Sequence, residues 1–228
     1  MCECRLCKSL NFYLDLLKVT LRHNRYDSGL VRTAMDNIAA ILNGYTSNSH
    51  KNTFFSGNWS KFKTSCFATH QALKLLSSSQ NPHQEHVIPI NVIWNKKIKA
   101  VATDDLSLLV TIYKYVIPCL ITENQRLALD TKYKKNMAIK DGDLDDPNVI
   151  WSRYALTEIE LDNGTKNRLI DQVTFQLPKI KPSTDIGCTS DVHCLMKRFN
   201  ESKREANWDR NQTLLLAQNN ADHSDKGQ

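Results

Sequence analysis

Three patterns that often identify an enzyme are missing from this sequence of 228 residues. It contains no Gly-x-x-x-x-Gly-Lys-Ser/Thr phosphate loop, no Gly-x-Gly-x-x-Gly dinucleotide fingerprint and no Gly-x-Ser-x-Gly nucleophile elbow. With only seven glycines, it offers few places where a backbone loop can wrap closely around a phosphate. We therefore look for function in side chains rather than in glycine-rich loops.

Long hydrophobic runs are also absent. No segment reaches the roughly 18 consecutive apolar residues of a membrane-spanning helix, so no membrane association is expected. The first apolar residues are interrupted by Asn11, Asp15 and Lys18, which argues against a secretion signal. We expect a cytoplasmic protein whose seven cysteines are reduced thiols or metal ligands.

The composition is typical of a folded chain. Hydrophobic residues make up 41% of the sequence and charged residues 24%, which excludes wholly disordered and collagen-like proteins. Lysine and arginine number 30 against 24 acidic residues, so the formal net charge is +6. This moderate excess permits nucleic-acid binding without requiring it.

Hydrophobic periodicity and N-cap residues predict a mostly helical α+β fold. The predicted elements are helices over 10–21, 30–41, 59–76, 104–113 (capped by Asp104) and 123–133 (capped by Thr122), a strand over 115–121, and a short helix or strand over 151–159. The polar segment 140–148 is predicted to be a loop.

The segment Glu85-His86-Val87-Ile88-Pro89 carries the strongest chemical signal. Adjacent residues of a strand point to opposite sides, so one of Glu85 and His86 can bind a metal ion while the other faces a substrate. Histidine accepts a proton near neutral pH, and a carboxylate can hold a divalent ion that offsets phosphate charge. The alternative is a capping or packing pair, with His86 hydrogen-bonded to a nearby carbonyl.

This segment resembles the first motif of the HNH, or ββα-metal, nucleases, which reads Asp/Glu-His-x-x-Pro. It is especially similar to uncharacterised bacterial proteins in which Glu-His-Val-x-Pro is followed by a helix and then by an Ile-Thr segment that opens another helix. The matching pieces in this chain are Glu85 to Pro89, Leu120 to Gln125, Asn136-Met137 and Arg153-Tyr154. The resemblance covers roughly residues 59–159.

The resemblance implies a small ββα-metal-like element and a metal-dependent endonuclease that hydrolyses phosphodiester bonds in DNA. His86 would be the general base and Glu85 the first metal ligand, while the later Asn or His of the family motif falls at Asn124 or Gln125. Oxygen ligands favour Mg²⁺. The chain departs from the pattern because it has no histidine from residue 87 to 192. Two alternatives therefore stay open: Glu123 is another metal ligand, or the protein has lost cleavage.

Lysines near the motif in sequence are the expected nucleic-acid contacts. They are Lys96, Lys97, Lys99, Lys132, Lys134 and Lys135. Such side chains bind phosphates on either side of a scissile bond, in DNA or alternatively in RNA. A solvated charged surface is the other interpretation of these runs.

A structural Zn²⁺ site is a separate hypothesis. Cys4 and Cys7 have the Cys-x-x-Cys spacing that lets two thiolates bind one zinc ion, and Cys188 and Cys194 would complete the tetrahedron. Free thiols on a frayed end are the alternative.

The sequence divides into a helical segment (1–58), an HNH-like nuclease core (59–178) and a polar, weakly ordered tail (179–228). Two functions remain open: a metal-dependent DNA endonuclease, or a non-catalytic nucleic-acid- or protein-binding module on a degenerate nuclease scaffold.

Overall fold

A computed structural model of the chain describes residues 5–23, 26–42, 67–77, 82–101, 104–161, 170 and 172–174. Its elements, in chain order, are α1 (Arg5–Arg22), α2 (Ser28–Leu42), β1 (Phe67–Ala68), α3 (His70–Ser77), β2 (His83–His86), α4 (Ile90–Ile93), α5 (Asp105–Tyr115), β3 (Pro118–Ile121), α6 (Glu123–Lys132) and α7 (Pro147–Ala155). Helix α4 continues into a π-helical turn, Trp94–Ile98, and a 3-10 turn, Lys99–Val101. The predicted α+β class, mostly helical with a small sheet, is confirmed.

The first two helices pack against each other, as their amphipathic patterns predict. Asp27 sits just before α2, and its side-chain carboxylate accepts hydrogen bonds from the backbone N–H groups of Gly29 and Leu30. These donors have no partner within the helix, so Asp27 fixes where α2 begins. Helix α2 also packs against α5, which covers more of its apolar surface.

The prediction of one helix over 59–76 is wrong in part. Phe67–Ala68 forms strand β1, and α3 begins only at His70. Thr69 lies between them, and its hydroxyl accepts a hydrogen bond from the N–H of Ala72 at 3.2 Å. That contact caps the first turn of α3. Residues 59–66 lie outside the described part of the chain.

The three strands form a mixed sheet in the order β1-β3-β2. Strand β3 pairs in parallel with β1 and antiparallel with β2, so that Glu85 lies opposite Cys119 and His86 opposite Pro118. All four residues of β3 are buried, as expected for a central strand. The strand predicted over 115–121 is shorter in the structure, because Tyr115 still belongs to α5.

Strands β2 and β3 are an antiparallel pair followed by helix α6, although α4 and α5 separate the two strands along the chain. A capping box starts α6: the Thr122 hydroxyl accepts from the N–H of Gln125, and Gln125 Oε1 accepts from the N–H of Thr122. Gln125 Oε1 also accepts a hydrogen bond from the Thr69 hydroxyl at 2.9 Å. The start of α6 is thereby tied to the residue that follows β1.

Helix α7 begins inside the segment predicted as a loop. Asp146 caps it by accepting a hydrogen bond from the N–H of Asn148, and Pro147 occupies its first turn. Proline suits this position because its missing N–H has no partner within the helix. The ambiguous prediction over 151–159 is therefore resolved as a helix that ends at Ala155.

All described residues belong to one compact unit that lies within residues 3–174. The predicted boundary between residues 58 and 59 falls outside the described residues and stays a prediction, as does the tail over 179–228. None of the helices in the described ranges is long and apolar enough to cross a membrane.

The Thr122→Ala substitution tests the capping box. It removes the acceptor for the N–H of Gln125, and we expect the free energy of unfolding to fall by about 1 kcal/mol. Thr131→Ala is the matched control, because among the described residues the exposed Thr131 hydroxyl bonds only to the Leu127 carbonyl of the same helix. Its effect should stay within about 0.5 kcal/mol in urea unfolding. Equal losses in the two variants would contradict the assigned cap.

Candidate functional site

A pocket of about 450 Å³ opens beside Glu85 and His86. Its lining comes from the start of α2, strand β2, the start of α4, helix α6 and the turn after α6. The lining residues are Tyr26, Ser28, Gly29, Arg32, His83, Glu85, His86, Pro89, Ile90, Asn91, Arg126, Asp130, Lys134 and Lys135. Four of these side chains are cationic, which makes the pocket a candidate for an anionic ligand.

His86 is buried and lies against a carboxylate. Its Nε2 atom is 2.7 Å from Asp36 Oδ1, and its side chain is only 5% exposed. A carboxylate accepts, so Nε2 carries the proton, and Nδ1 holds the lone pair in the neutral ring. Among the described residues, Nδ1 has no hydrogen-bond partner. His86 thus has the hydrogen-bonding pattern of an oriented proton acceptor.

Asp36 is one of the site residues that sequence reasoning missed, together with Tyr26, Arg32 and Arg126 of the pocket lining. It lies on α2, fifty residues before His86 in the chain, and it also approaches Arg32 Nε at 3.6 Å. A signal was present, because Asp36 is the one acidic residue in the sequence of α2, which is otherwise rich in apolar side chains. The expected carbonyl partner of His86 is replaced by this carboxylate.

Glu85 lines the same pocket as His86, although the two were expected on opposite sides of a strand. Burial does alternate along β2, but the strand ends at His86, where the pocket opens. The nearest cation to Glu85 is the fully buried Arg153, whose Nη1 lies 3.6 Å from Glu85 Oε1. Part of the Glu85 charge is therefore offset by a cation on α7.

Arg153 also binds two backbone carbonyls. Its Nη1 donates to the carbonyl of His86 at 3.3 Å, and its Nη2 donates to the carbonyl of Lys134 at 3.0 Å. A guanidinium that is 0% exposed requires such partners, because an unpaired buried charge is strongly destabilising. Arg153 consequently holds β2 and the turn after α6 close to each other.

The predicted metal ligands are not brought together. Asn124 is exposed on α6 and does not line the pocket, and Gln125 Oε1 already accepts hydrogen bonds from Thr122 and Thr69. Glu123, the alternative ligand, forms a 2.5 Å salt bridge with Arg126 instead. Within the described ranges, no three His, Cys, Asp or Glu side chains are grouped to hold an ion. The Mg²⁺ site on Glu85 with Asn124 or Gln125 stays a prediction.

Lys134 and Lys135 are the two predicted lysines that the structure places in the pocket. They follow α6, and Lys134 has a left-handed backbone with φ of +50°. Neither forms a salt bridge with a described residue. Their charges are therefore available to a ligand.

The other predicted lysines lie away from the pocket lining. Lys96 donates to the carbonyls of Lys140 and Gly142, and Lys132 donates to the carbonyl of Leu156. Lys99 is exposed on the 3-10 turn. Like Lys97, these residues do not line the pocket, and their role as nucleic-acid contacts stays a prediction.

Lys97 belongs to an ion-pair network on the acidic loop, the segment 141–146 that precedes α7. Lys97 Nζ and Lys114 Nζ each lie 2.8 Å from an oxygen of Asp145, and the Tyr115 hydroxyl donates to the same carboxylate. Partial burial alone would raise the pKa of Asp145, but the hydrogen bonds from Lys114, Lys97 and Tyr115 hold it well below its usual range. Burial, together with Asp145, raises the pKa of Tyr115. This network fixes the loop before α7.

Arg126 and His83 lie side by side at the pocket. Arg126 bridges Glu123 and Asp130 along α6, at 2.5 Å and 2.6 Å, so part of its charge is already paired. Burial, followed by the nearby Arg126 charge, lowers the pKa of His83. His83 therefore contributes a mostly neutral ring to the pocket at neutral pH.

The predicted zinc ligands cannot be placed. Cys4, Cys188 and Cys194 lie outside the described residues, and the side chain of Cys7 is also outside them. Cys119, in the part of the chain that is described, is a buried thiol on β3 whose Sγ donates to the Leu120 carbonyl. The zinc hypothesis stays a prediction.

Comparisons of the chain with protein-family models, with curated proteins and with solved structures found no match.

The Asp145→Asn substitution tests the acidic-loop network through pH. Because the folded-state pKa of Asp145 lies below the unfolded value near 3.9, its carboxylate stabilises the fold above about pH 4, and this contribution is lost as the pH falls further. We expect the variant to be less stable than wild type at pH 7 and the difference to shrink toward pH 2. Urea unfolding of both proteins between pH 7 and pH 2 measures this difference in the free energy of unfolding.

Asp143→Asn is the control for that series. Asp143 lies 3.6 Å from Lys97, its side chain is 70% exposed, and asparagine keeps the Oδ1 that accepts from the N–H of Asp145, so the substitution should change stability little at any pH. A stability difference for Asp145→Asn that is constant from pH 7 to pH 2 would contradict the depressed pKa.

Proposed function

We propose that this pocket binds the phosphate backbone of a nucleic acid. The observation that carries the proposal is the convergence of Arg32, Arg126, Lys134 and Lys135 on one pocket of about 450 Å³. Cationic side chains supply most of the affinity of proteins for nucleic-acid backbones. DNA is the first ligand to test and RNA the second, and a cytoplasmic location is part of the proposal.

The distribution of charge within the pocket supports this assignment. Arg32 and Arg126 have carboxylates nearby, whereas Lys134 and Lys135 have no salt bridge with any described residue. The two lysines are successive residues, so one phosphate group or two neighbouring ones can contact both. Glu85 and Asp130 reduce the positive potential but leave the cations in excess.

Lys135→Ala should weaken nucleic-acid binding and make it less dependent on salt. Removing the cation that binds one phosphate lowers the slope of log K against log[salt] by about 0.7 to 0.9, because fewer counterions are released. Fluorescence anisotropy with labelled DNA and RNA at several salt concentrations measures both changes. Lys135 is chosen over Lys134 because the left-handed backbone of Lys134 would confound the comparison.

Lys8→Ala is the matched control for charge. Lys8 is exposed on α1 and does not line the pocket, so its removal changes the net charge equally without removing a pocket cation. Equal effects of the two variants, or the absence of salt-dependent binding by wild type, would overturn the proposal and favour a protein-binding module.

A second candidate function is phosphodiester hydrolysis, as the HNH resemblance implies. It is favoured by the hydrogen bond between His86 and Asp36 and by the position of Glu85 in the same pocket. The other segments that carry the resemblance also lie near this site: β2 pairs with the strand that begins at Pro118, and Arg153 contacts both Glu85 and the His86 carbonyl. These contacts support a common role for the short motifs.

In such a reaction His86 would act as the general base. With the Nε2–H held by Asp36, Nδ1 would take a proton from a water molecule as its oxygen attacks phosphorus. The bond from phosphorus to the oxygen of the departing strand end would break, and that oxygen would take a proton from solvent. The lysines would hold the phosphate while charge builds up on its oxygens. The absence of an assembled ligand set for Mg²⁺ among the described residues is why binding, rather than hydrolysis, is the first proposal.

Incubation with supercoiled plasmid, in Mg²⁺, Mn²⁺ or EDTA, tests cleavage. We expect His86→Ala to remove nicking, because a general base contributes about 10²- to 10⁴-fold. His70→Ala is the control, since His70 is exposed at the start of α3 and lies outside the pocket lining. Unchanged nicking by a folded His86→Ala protein would exclude His86 as the base, and wild-type protein inactive in every condition would leave binding alone.

A further inference from the structure

Tyr26 gives the cationic pocket an aromatic surface. Its ring packs on the ring of Trp94, with centroids 5.8 Å apart and an interplanar angle of 53°. Trp94 is 1% exposed and therefore fixed, whereas Tyr26 is 39% exposed and lines the pocket. A tyrosine ring supported from behind and open toward a pocket offers a preformed platform for a flat apolar ligand.

The neighbouring lining adds both apolar and polar atoms. Pro89 and Ile90 are buried residues of the same pocket, and Asn91 and Ser28 provide hydrogen-bond donors and acceptors. Lys134 and Lys135 supply positive charge. A nucleotide has the same three parts: a flat base, polar base edges and a phosphate.

Resting on the proposed function, we infer that the pocket accommodates an unstacked base of a single-stranded nucleic acid, which stacks on Tyr26 while its phosphate contacts Lys134 and Lys135. The pocket volume of about 450 Å³ lies in the range of binding sites for small organic ligands. One nucleotide is a ligand of this size. Aromatic side chains beside a cationic groove are the usual means of holding unpaired bases.

A duplex meets these requirements poorly. Its bases are paired and stacked, so that only its backbone reaches the lysines unless a base is flipped out at an energetic cost. Single strands present bases and phosphates together. The protein should therefore bind a single strand more tightly than a duplex of the same sequence and length.

The experiment compares four labelled probes in fluorescence anisotropy: single-stranded DNA, the corresponding RNA, the DNA duplex, and an abasic strand that keeps phosphates without bases. Tyr26→Ala should weaken binding of at least one of the two base-bearing single strands about tenfold or more and leave the abasic strand unchanged, because stacking needs both ring and base. Tyr26→Phe keeps the ring and should bind like wild type.

Two further variants separate stacking from folding. Tyr26→Leu preserves apolar contact with Trp94 but lacks an aromatic face, so it should behave like Tyr26→Ala while circular dichroism stays native. Phe12→Ala removes a more exposed ring (59% against 39% for Tyr26) from α1, outside the pocket lining, and should leave binding unchanged.

The outcomes distinguish this inference from the function on which it rests. Salt-dependent binding that is equal for single strands and duplex, and unaffected by Tyr26→Ala and Tyr26→Leu, would overturn base stacking while leaving phosphate binding intact. Failure of all four probes to bind wild-type protein would overturn both. Weaker binding of the abasic strand by Tyr26→Ala would assign Tyr26 a structural role and also overturn the inference.

Discussion

The fully buried guanidinium of Arg153 is the constraint on which the geometry of the pocket depends. A charge removed from water has to be hydrogen-bonded, and Arg153 donates from Nη1 and Nη2 to the backbone of His86 and of Lys134, while its Nε has no partner among the described residues. Glu85 supplies the nearest carboxylate. Helix α7, strand β2 and the turn after α6 are thus held at fixed distances, although they are far apart in the sequence. Arg153 does not line the pocket itself, but it fixes the positions of two backbone segments that do.

A second long-range contact joins the helical N-terminal region to this site. Asp36 on α2 binds the ring of His86, and the residues around the start of α2 contribute Tyr26 and Arg32 to the pocket lining. The region predicted as a separate helical segment therefore supplies part of the site. The proposed ligand binding depends on cations and an aromatic ring, whereas hydrolysis would also require Nδ1 of His86, which has no partner among the described residues, to reach water. One pocket can support the first role without the second.

Local signals in the sequence predicted the local structure. Asp104 and Thr122 cap α5 and α6, because a side-chain acceptor before an apolar helix acts within three residues. The two-residue strand β1 left no such signal, since two residues are too few to reveal a period. It exists because β3 offers it a partner more than fifty residues away.

The site was predicted less well, for related reasons. Glu85 and His86 were found because they are adjacent, but Asp36 was missed because its contact with His86 depends on the tertiary fold. Gln125 was assigned to a metal although the pattern from Thr122 to Gln125 is that of a capping box, which already engages the side-chain amide oxygen. Lys97 lies near the motif in sequence, yet the fold pairs it with Asp145.

Helix α6 ends in a way that also shapes the pocket. Lys134 occupies the left-handed position after the helix, where glycine is the usual residue and a lysine is disfavoured by about 1 kcal/mol. In a continuing helix, Lys134 and Lys135 would project about 100° apart, whereas the reversal of the chain lets both line one pocket. Lys134 therefore both ends the helix and contributes positive charge to the pocket. A glycine at this position would end the helix more favourably but would remove that charge.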